Sequence, residues 1–185
     1  KSETKPGNVY SETHLLAENE LVYLNNKFDF NGTIIRLSNA VGPPINSMAN
    51  CWDLLVNDIC KKAIINEKIT IRSNKKIARD FVTITSFCNF INFYINNTNL
   101  LDENIYNFSS NKNLQIIEIC DLVTDILKSK FKKNVKINYL DNLNNDEIID
   151  FKIDNRRLTE LNCNIDFSIQ EEIEKLLFKC SKWFL

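Results

Sequence analysis

Glycine is scarce in this chain: three among 185 residues, Gly7, Gly32 and Gly42. The closest two stand ten positions apart, so neither a G-x-G-x-x-G turn nor a P-loop fits, and these residues hold no glycine-rich phosphate cradle. Histidine occurs once, as His14, which leaves no histidine-based metal cluster. The six cysteines, at 51, 60, 88, 120, 163 and 180, are never closer than nine positions, so no C-x-x-C knuckle or redox motif exists and no metal site is expected. Several lie in apolar stretches, as small hydrophobes do, and read as reduced core thiols of a cytoplasmic protein. A basic excess is missing too. With 23 Lys and Arg against 24 Asp and Glu, the net charge of −1 offers no field for a polyphosphate backbone, and no nucleic-acid partner is expected. Pairs such as Lys61-Lys62, Lys75-Lys76 and Lys132-Lys133 read as solvated helix ends and loops. No apolar run reaches 18 residues; the nearest, "FVTITSFCNFINFYI", is broken by Thr, Ser and Asn, so no membrane span is expected. The opening "KSETKPGN" has no signal-peptide apolar stretch.

What is present is ordinary globular material. Apolar residues make up 44% and charged residues 25%, enough for one domain with a real core, or one and a half. Spacing predicts a helix from Tyr10 to about Lys27, with Leu15, Leu16, Leu21, Val22 and Leu24 inward and Glu12, Glu18 and Glu20 outward. "TIIRL" predicts a short, largely buried strand after an Asn31-Gly32 turn, and "SNAVGPPINSMAN" a loop. A second amphipathic helix is expected from Cys51 to about Ile65, then a strand in "KITIR". "RDFVTI" reads as a strand running into a helix from about Ser86 to Ile95, and "IYNFSS" as another strand. Asn113 is expected to cap a long helix, "LQIIEICDLVTDILKSKF", with "VKINYL" a strand after it and "DNLNNDE" an exposed loop. The last helix opens with Ser168 and Glu171 in the S-x-x-E capping arrangement and runs to Trp183. Helices alternating with strands make the class α/β with parallel pairing. Phe178, Trp183 and Phe184 are expected in the core; Trp52 reads either as core or interface, or as an aromatic over a base or sugar.

Tyr10 and His14, at i and i+4, share one helix face. By themselves they read either as a reactive pair or as a packed tyrosine with a boundary histidine. Their surroundings carry more. "VYSETHLLAEN", "IIRLSNAVGPP", "ARDFVTI", "IYNFSS" and "NRRLTELN" occur in this order along the chain. That series resembles the second half of the extended short-chain dehydrogenase/reductase family, the NAD-dependent sugar-nucleotide epimerases and dehydratases. The family pattern is Y-x-x-x-K, then R-x-x-N-x-x-G-P, then an R-D-F/Y strand, then a Y-N strand.

The resemblance implies an α/β fold: the C-terminal part of a Rossmann-like doubly wound sheet with a smaller α/β substrate-binding domain. Residues 1–42 would end the dinucleotide-binding domain and carry the catalytic helix. Residues 43–185 would be mainly the sugar-nucleotide-binding domain, with about 79–110 returning to the sheet. The family's opening glycine-rich βαβ part has no counterpart here, so the chain is expected to be a fragment. The implied activity is NAD- or NADP-dependent chemistry on a nucleotide-sugar, as epimerase, dehydratase or reductase in surface-polysaccharide biosynthesis. Tyr10 would be the acid/base, and both Tyr10 and His14 would also touch the cofactor. Ser38 would stand near the nicotinamide end. Asn39 would hydrogen-bond the nucleotide-sugar, and Arg79 would grip its diphosphate as a bidentate fork, the alternative being a pair with Asp80 or a helix acid. Arg36 reads either as a site residue or as purely structural. A homodimer through the helix carrying Tyr10 is expected.

The sequence departs from the pattern in places. His14 stands where the family has lysine, and an imidazole, with an ordinary pKa of about 6.5, is mostly neutral at pH 7. A phenol beside it receives less cationic help than a lysine gives. The outcomes range from slow turnover, a shifted pH optimum or a single internal oxidation–reduction to a relic without chemistry. Thr85 and Ser86 replace the family's paired acids, and Ser109 the glycine after "YN". These changes leave open a non-catalytic sugar-nucleotide-binding or regulatory protein on the same fold, or a free-standing structural module.

Overall fold

Asn8 starts the first helix. Its side chain accepts the Ser11 backbone N–H at 2.9 Å while the Ser11 hydroxyl accepts the Asn8 N–H at 3.2 Å, a reciprocal cap that satisfies two donors otherwise orphaned. Helix α1 then runs Val9–Lys27 and ends where Phe28 turns extended. It buries none of its residues. The expected inward face is split: Leu15, Leu21 and Leu24 are half-buried, but Leu16 and Val22 are exposed. The reason is spacing, since apolar positions 15, 16, 21, 22 and 24 spread around the helix and make no single stripe.

The computed structural model describes residues 4–28, 30–72, 74, 76–97, 105–140, 151–163 and 165–185. After α1 come β1 (Ile34–Leu37), β2 (Asn39–Val41), α2 (Leu55–Asn66), β3 (Lys68–Ile71), β4 (Ala78–Thr83) and α3 (Ile84–Asn96). They are followed by β5 (Ile105–Phe108), β6 (Asn113–Gln115), α4 (Ile116–Lys130), β7 (Lys136–Tyr139), α5 (Arg156–Glu160) and α6 (Ile169–Phe184). Strand pairing is mainly parallel: β1 with β5, β2 with β4, and β3 with β7, while β6 joins β4 antiparallel. Such pairs need crossovers, which the intervening helices supply. The α/β expectation holds.

Several boundaries differ from the sequence reading. Asn39–Val41, expected as loop, forms β2 because its residues pair with Phe81–Thr83 before Gly42-Pro43-Pro44 ends the ladder. Asn113 does not cap the long helix. It pairs with Asp80 in β6, and Gln115 caps α4 instead, its N–H donating to the Glu118 carboxylate at 2.6 Å. α2 begins at Leu55, four residues later than expected, because a turn occupies the preceding residues and the Trp52 indole N–H donates to the Ser47 carbonyl at 2.9 Å. Ser168 is the N-cap of α6 by position, but its side chain makes no cap bond. The "DNLNNDE" stretch lies outside the described residues.

Two apolar clusters hold the chain. The larger joins α2, α4 and α6 through Ile59, Ala63, Ile119, Val123, Ile173 and Leu176, with Cys60, Cys120 and Cys180 buried among them. Burial pushes the Cys120 thiol up to about 11 and Cys180 to about 12, and raises Cys60 as well, so these thiols are neutral. The smaller cluster packs Val82, Phe90, Phe108 and Leu158, with the Phe90 and Phe108 rings 5.2 Å apart. Trp183 and Phe184 are half-buried against Trp52, Phe184 at 5.1 Å edge-on. Phe178, expected in the core, is 64% exposed on the outer side of α6.

Candidate functional site

The first two turns of α1 open on a cleft of about 350 Å³ lined by Tyr10, His14, Glu18, Lys5 and Arg36 among others. Helical geometry alone brings Tyr10 and His14 together, one turn apart on one face. Their rings lie 4.5 Å apart and tilted by 55°. Tyr10 is 74% exposed, so its phenol is open to a ligand and is not buried among aliphatics.

One turn further along the same face, Glu18 closes the cleft against β1. The Arg36 Nε–H donates to Glu18 Oε1 at 2.9 Å and to Oε2 at 3.1 Å, with Nη2 reaching Oε2 as well. That fork raises the Arg36 pKa above its ordinary range, burial opposing it. Near the end of α1 a second polar tie forms. Asn25 Nδ2–H donates to the Gly32 carbonyl at 2.7 Å, and the Gly32 N–H donates back to Asn25 Oδ1 at 2.9 Å. A Cβ on Gly32 would meet Leu21 Cδ1 at 2.5 Å, so a side chain there would displace the Leu21 methyl.

Ser38 and Asn39 lie where β1 passes into β2. The Ser38 hydroxyl donates to the Asp80 carbonyl at 2.8 Å, and the Asn39 amide donates to the same oxygen at 2.9 Å. Asp80 is a hub in β4, for its buried carboxylate also accepts from the Ser110 N–H at 3.2 Å and hydroxyl at 2.8 Å. Arg79, the residue before Asp80 in β4, is half-buried and paired in register with Leu114. It is not among the residues lining the Tyr10 cleft. The structure therefore gathers Tyr10 and His14 on one cleft with Glu18 and Arg36, and ties Ser38 and Asn39 to the Asp80 carbonyl, while Arg79 neighbours Asp80 only along β4.

Sequence reasoning passed over Glu18 and Glu172. Glu18 was legible as the residue eight after Tyr10, on the same face. Glu172 is 2% exposed on α6, accepting from the Thr85 hydroxyl at 2.7 Å and N–H at 3.3 Å, with Lys175 Nζ at 3.1 Å. Its only signal was an acid inside the apolar stripe Ile169, Ile173, Leu176.

No group of His, Cys, Asp and Glu among the described residues could hold a metal ion. Among them, no helix is long and apolar enough to cross a membrane. The exposed phenol and imidazole of the cleft can hydrogen-bond hydroxyl groups, which suits a polyhydroxylated ligand such as the ribose end of a dinucleotide.

Residues 1–108 match the model of a family described as the NAD dependent epimerase/dehydratase family. No curated protein matches the sequence. Among solved structures, the chain is similar to the UDP-N-acetylglucosamine 4-epimerase of Methanobrevibacter ruminantium M1 in complex with UDP-N-acetylmuramic acid, at 18% identity and a TM-score of 0.75, over 97% of this chain and 55% of that one. It is similar to the dTDP-glucose 4,6-dehydratase of Bacillus anthracis in complex with NAD, at 15% identity and a TM-score of 0.76, over 98% and 55%. A third is the UDP-glucose 4-epimerase of Thermotoga maritima with UDP-glucose, at 15% identity and a TM-score of 0.73, over 96% and 55%. The chain thus spans about half the length of these structures, and identities this low establish the shared fold.

Proposed function

The chain belongs to the NAD dependent epimerase/dehydratase family, and from that premise we propose that the protein carrying it is an NAD- or NADP-dependent epimerase, dehydratase or reductase acting on a nucleotide-sugar. The observation that carries the reading is the open cleft onto which the exposed Tyr10 and its neighbour His14 both face, within the residues 1–108 that match the family. The cofactor, when bound, supplies the hydride acceptor and donor. Tyr10, deprotonated, takes the proton of the sugar hydroxyl and later returns it. His14 hydrogen-bonds hydroxyls at the cofactor's ribose and keeps the phenol oriented through the ring contact. Ser38 contacts the cofactor, while Asn39 and Arg79 hold the nucleotide-sugar, the guanidinium as a fork on its diphosphate.

In this reading residues 1–42 end the dinucleotide-binding unit and 43–185 form mainly the sugar-nucleotide unit, with about 79–110 returning to the sheet. The separate apolar clusters support a division of this kind. The setting is cytoplasmic synthesis of surface-polysaccharide precursors, and the protein is a homodimer through α1, whose Leu16, Val22 and Tyr23 are exposed.

Turnover of a panel of UDP- and dTDP-sugars with NAD or NADP, followed by nicotinamide absorbance and product analysis, tests the reading. Tyr10→Phe should lower turnover by about 10²- to 10⁴-fold, the usual worth of positioned proton transfer. Unchanged turnover refutes it. A second reading, a non-catalytic sugar-nucleotide-binding protein, draws support from Ser38 and Asn39 donating to Asp80 within the chain. Under that reading the protein binds the sugars and turns over none of them.

A further inference from the structure

We propose that Asn57 and Glu172 clamp the chain at Gly42, where it passes from one unit to the other, and are positioning residues for the binding of a nucleotide-sugar by Asn39. The inference rests on the reading above. Both residues are 2% exposed, and both belong to the 43–185 unit, Asn57 on α2 and Glu172 on α6. The Asn57 amide donates to the Gly42 carbonyl at 3.3 Å. The Glu172 carboxylate lies so close to Gly42 that a Cβ there would stand 2.6 Å from Oε1. The same carboxylate accepts the Thr85 N–H at 3.3 Å and hydroxyl at 2.7 Å, and its charge is met by Lys175 Nζ at 3.1 Å. Val41 and Thr83 are partners in the parallel β2–β4 ladder, so Gly42 and Thr85 follow on the carboxyl ends of neighbouring strands. One buried side chain thus grips both strand exits, and a second grips the first of them.

Apolar side chains would join these elements at less cost to the fold. Burying a carboxylate and an amide disfavours folding unless their polar atoms are matched, and Asn57 Oδ1 has no partner among the described residues. What the polar pair adds is direction, because a hydrogen bond holds the angle of the Gly42 carbonyl and packing against a bare glycine does not. Gly42 has φ of +154°, and Asn39 lies three residues before it, at the start of the short strand that Gly42 ends. A nucleotide-sugar held by Asn39 and by the 43–185 unit lies across this crossing, and it binds tightly only while the two keep their relation. Loosening that leaves the competent arrangement populated about one-fifth of the time raises the apparent Kd about fivefold.

The test uses the whole protein that contains this chain and measures Kd by calorimetry, with UDP-glucose, dTDP-glucose and NAD as probes. Asn57→Ala and Glu172→Gln are each made in the wild type and in Asn39→Ala, with Ile119→Val in the α4 core as a control for lost stability. Measured below the unfolding range of every variant, Kd for the sugar nucleotide should rise about fivefold in Asn57→Ala. It should rise about threefold in Glu172→Gln, which keeps the shape and one acceptor for Thr85, and stay unchanged in Ile119→Val. In the Asn39→Ala background either clamp variant should add less than about twofold, because the alignment of an absent amide no longer matters. Kd for NAD should stay unchanged throughout. Equal rises in both backgrounds, no rise in either clamp variant, or a rise matched by Ile119→Val would overturn the proposal. A wild type that binds neither sugar nucleotide is a different result: it removes the nucleotide-sugar reading, and this inference with it.

Discussion

Gly42→Ala is the sharpest perturbation of the segment that follows Asn39. Gly42 has φ of +154°, outside the range that L side chains ordinarily adopt. A Cβ placed there lies 2.6 Å from Glu172 Oε1, 2.9 Å from Ile84 Cβ and 3.0 Å from Ile84 Cγ1. Backbone strain of this kind costs about 1–3 kcal/mol. The methyl must also push away a carboxylate that is 2% exposed and accepts two bonds from Thr85. Loosening hydrogen bonds to a buried charge costs about 1.5–3 kcal/mol more. The two together give about 2.5–6 kcal/mol, a large part of the roughly 5–15 kcal/mol that stabilises a domain. Urea denaturation read by tryptophan fluorescence measures it, because Trp52 and Trp183 lie in contact at 6.2 Å between centroids. Repeating the substitution in Glu172→Ala separates the causes, since the carboxylate clash is then gone. The cost should drop by about 1.5–3 kcal/mol and leave the backbone strain and the Ile84 contacts. A loss below about 1 kcal/mol, or one identical in both backgrounds, refutes the reasoning.

Two further outcomes follow from the core and from a helix end. Cys60, Cys120 and Cys180 have raised pKa values in the folded chain, burial being the first cause. Their contribution is fully present below the ordinary thiol value of about 8.5 and fades as pH rises towards the folded values, at about 1.4 kcal/mol per pH unit per thiol. Stability measured by urea should therefore fall between pH 9 and 11, and less steeply in Cys180→Ala; parallel slopes would count against neutral buried thiols. At the end of α2, Glu67 sits in the left-handed region at φ 49°, and its carboxylate makes only an exposed pair with Lys133 at 3.2 Å. Glu67→Gly should raise stability by about 1 kcal/mol, visible as a higher melting temperature, and a lower one would contradict the strain.

Where an element's reason is local, the sequence displayed it. The α2, α4 and α6 stripes and the parallel alternation follow from spacing within a few residues. Asn31-Gly32, expected as a turn, forms none, and Gly32 is tied to the Asn25 side chain instead. β2 was hidden because Asn39–Val41 is too short to show a period and exists only through pairing with Phe81–Thr83. Asn113 carried a genuine cap signal that lost to the antiparallel ladder with β4. Phe178 looked like core because it is aromatic, yet the helix turns it outward while Leu177 and Cys180 face in.

The same distinction governs the candidate site. Any tyrosine and histidine four apart on a helix come within ring contact, so the 4.5 Å approach of Tyr10 and His14 says little about chemistry beyond what the sequence already said. A contact between residues 18 positions apart says more, because only a particular lie of α1 across β1 allows it. The Arg36–Glu18 fork is such a contact, and neither residue alone announces it. Arg79 marks the opposite case. Its motif singled it out, but it pairs with Leu114 in β4 and is not among the residues that line the Tyr10 cleft. A ligand touching both Tyr10 and Arg79 must therefore reach beyond that cleft, which a diphosphate-linked sugar does more readily than a free monosaccharide. Tight binding of a nucleotide-sugar, lost in Arg79→Ala and undetectable for the bare sugar, is the expected consequence; equal affinity for both would place the two residues in unrelated sites.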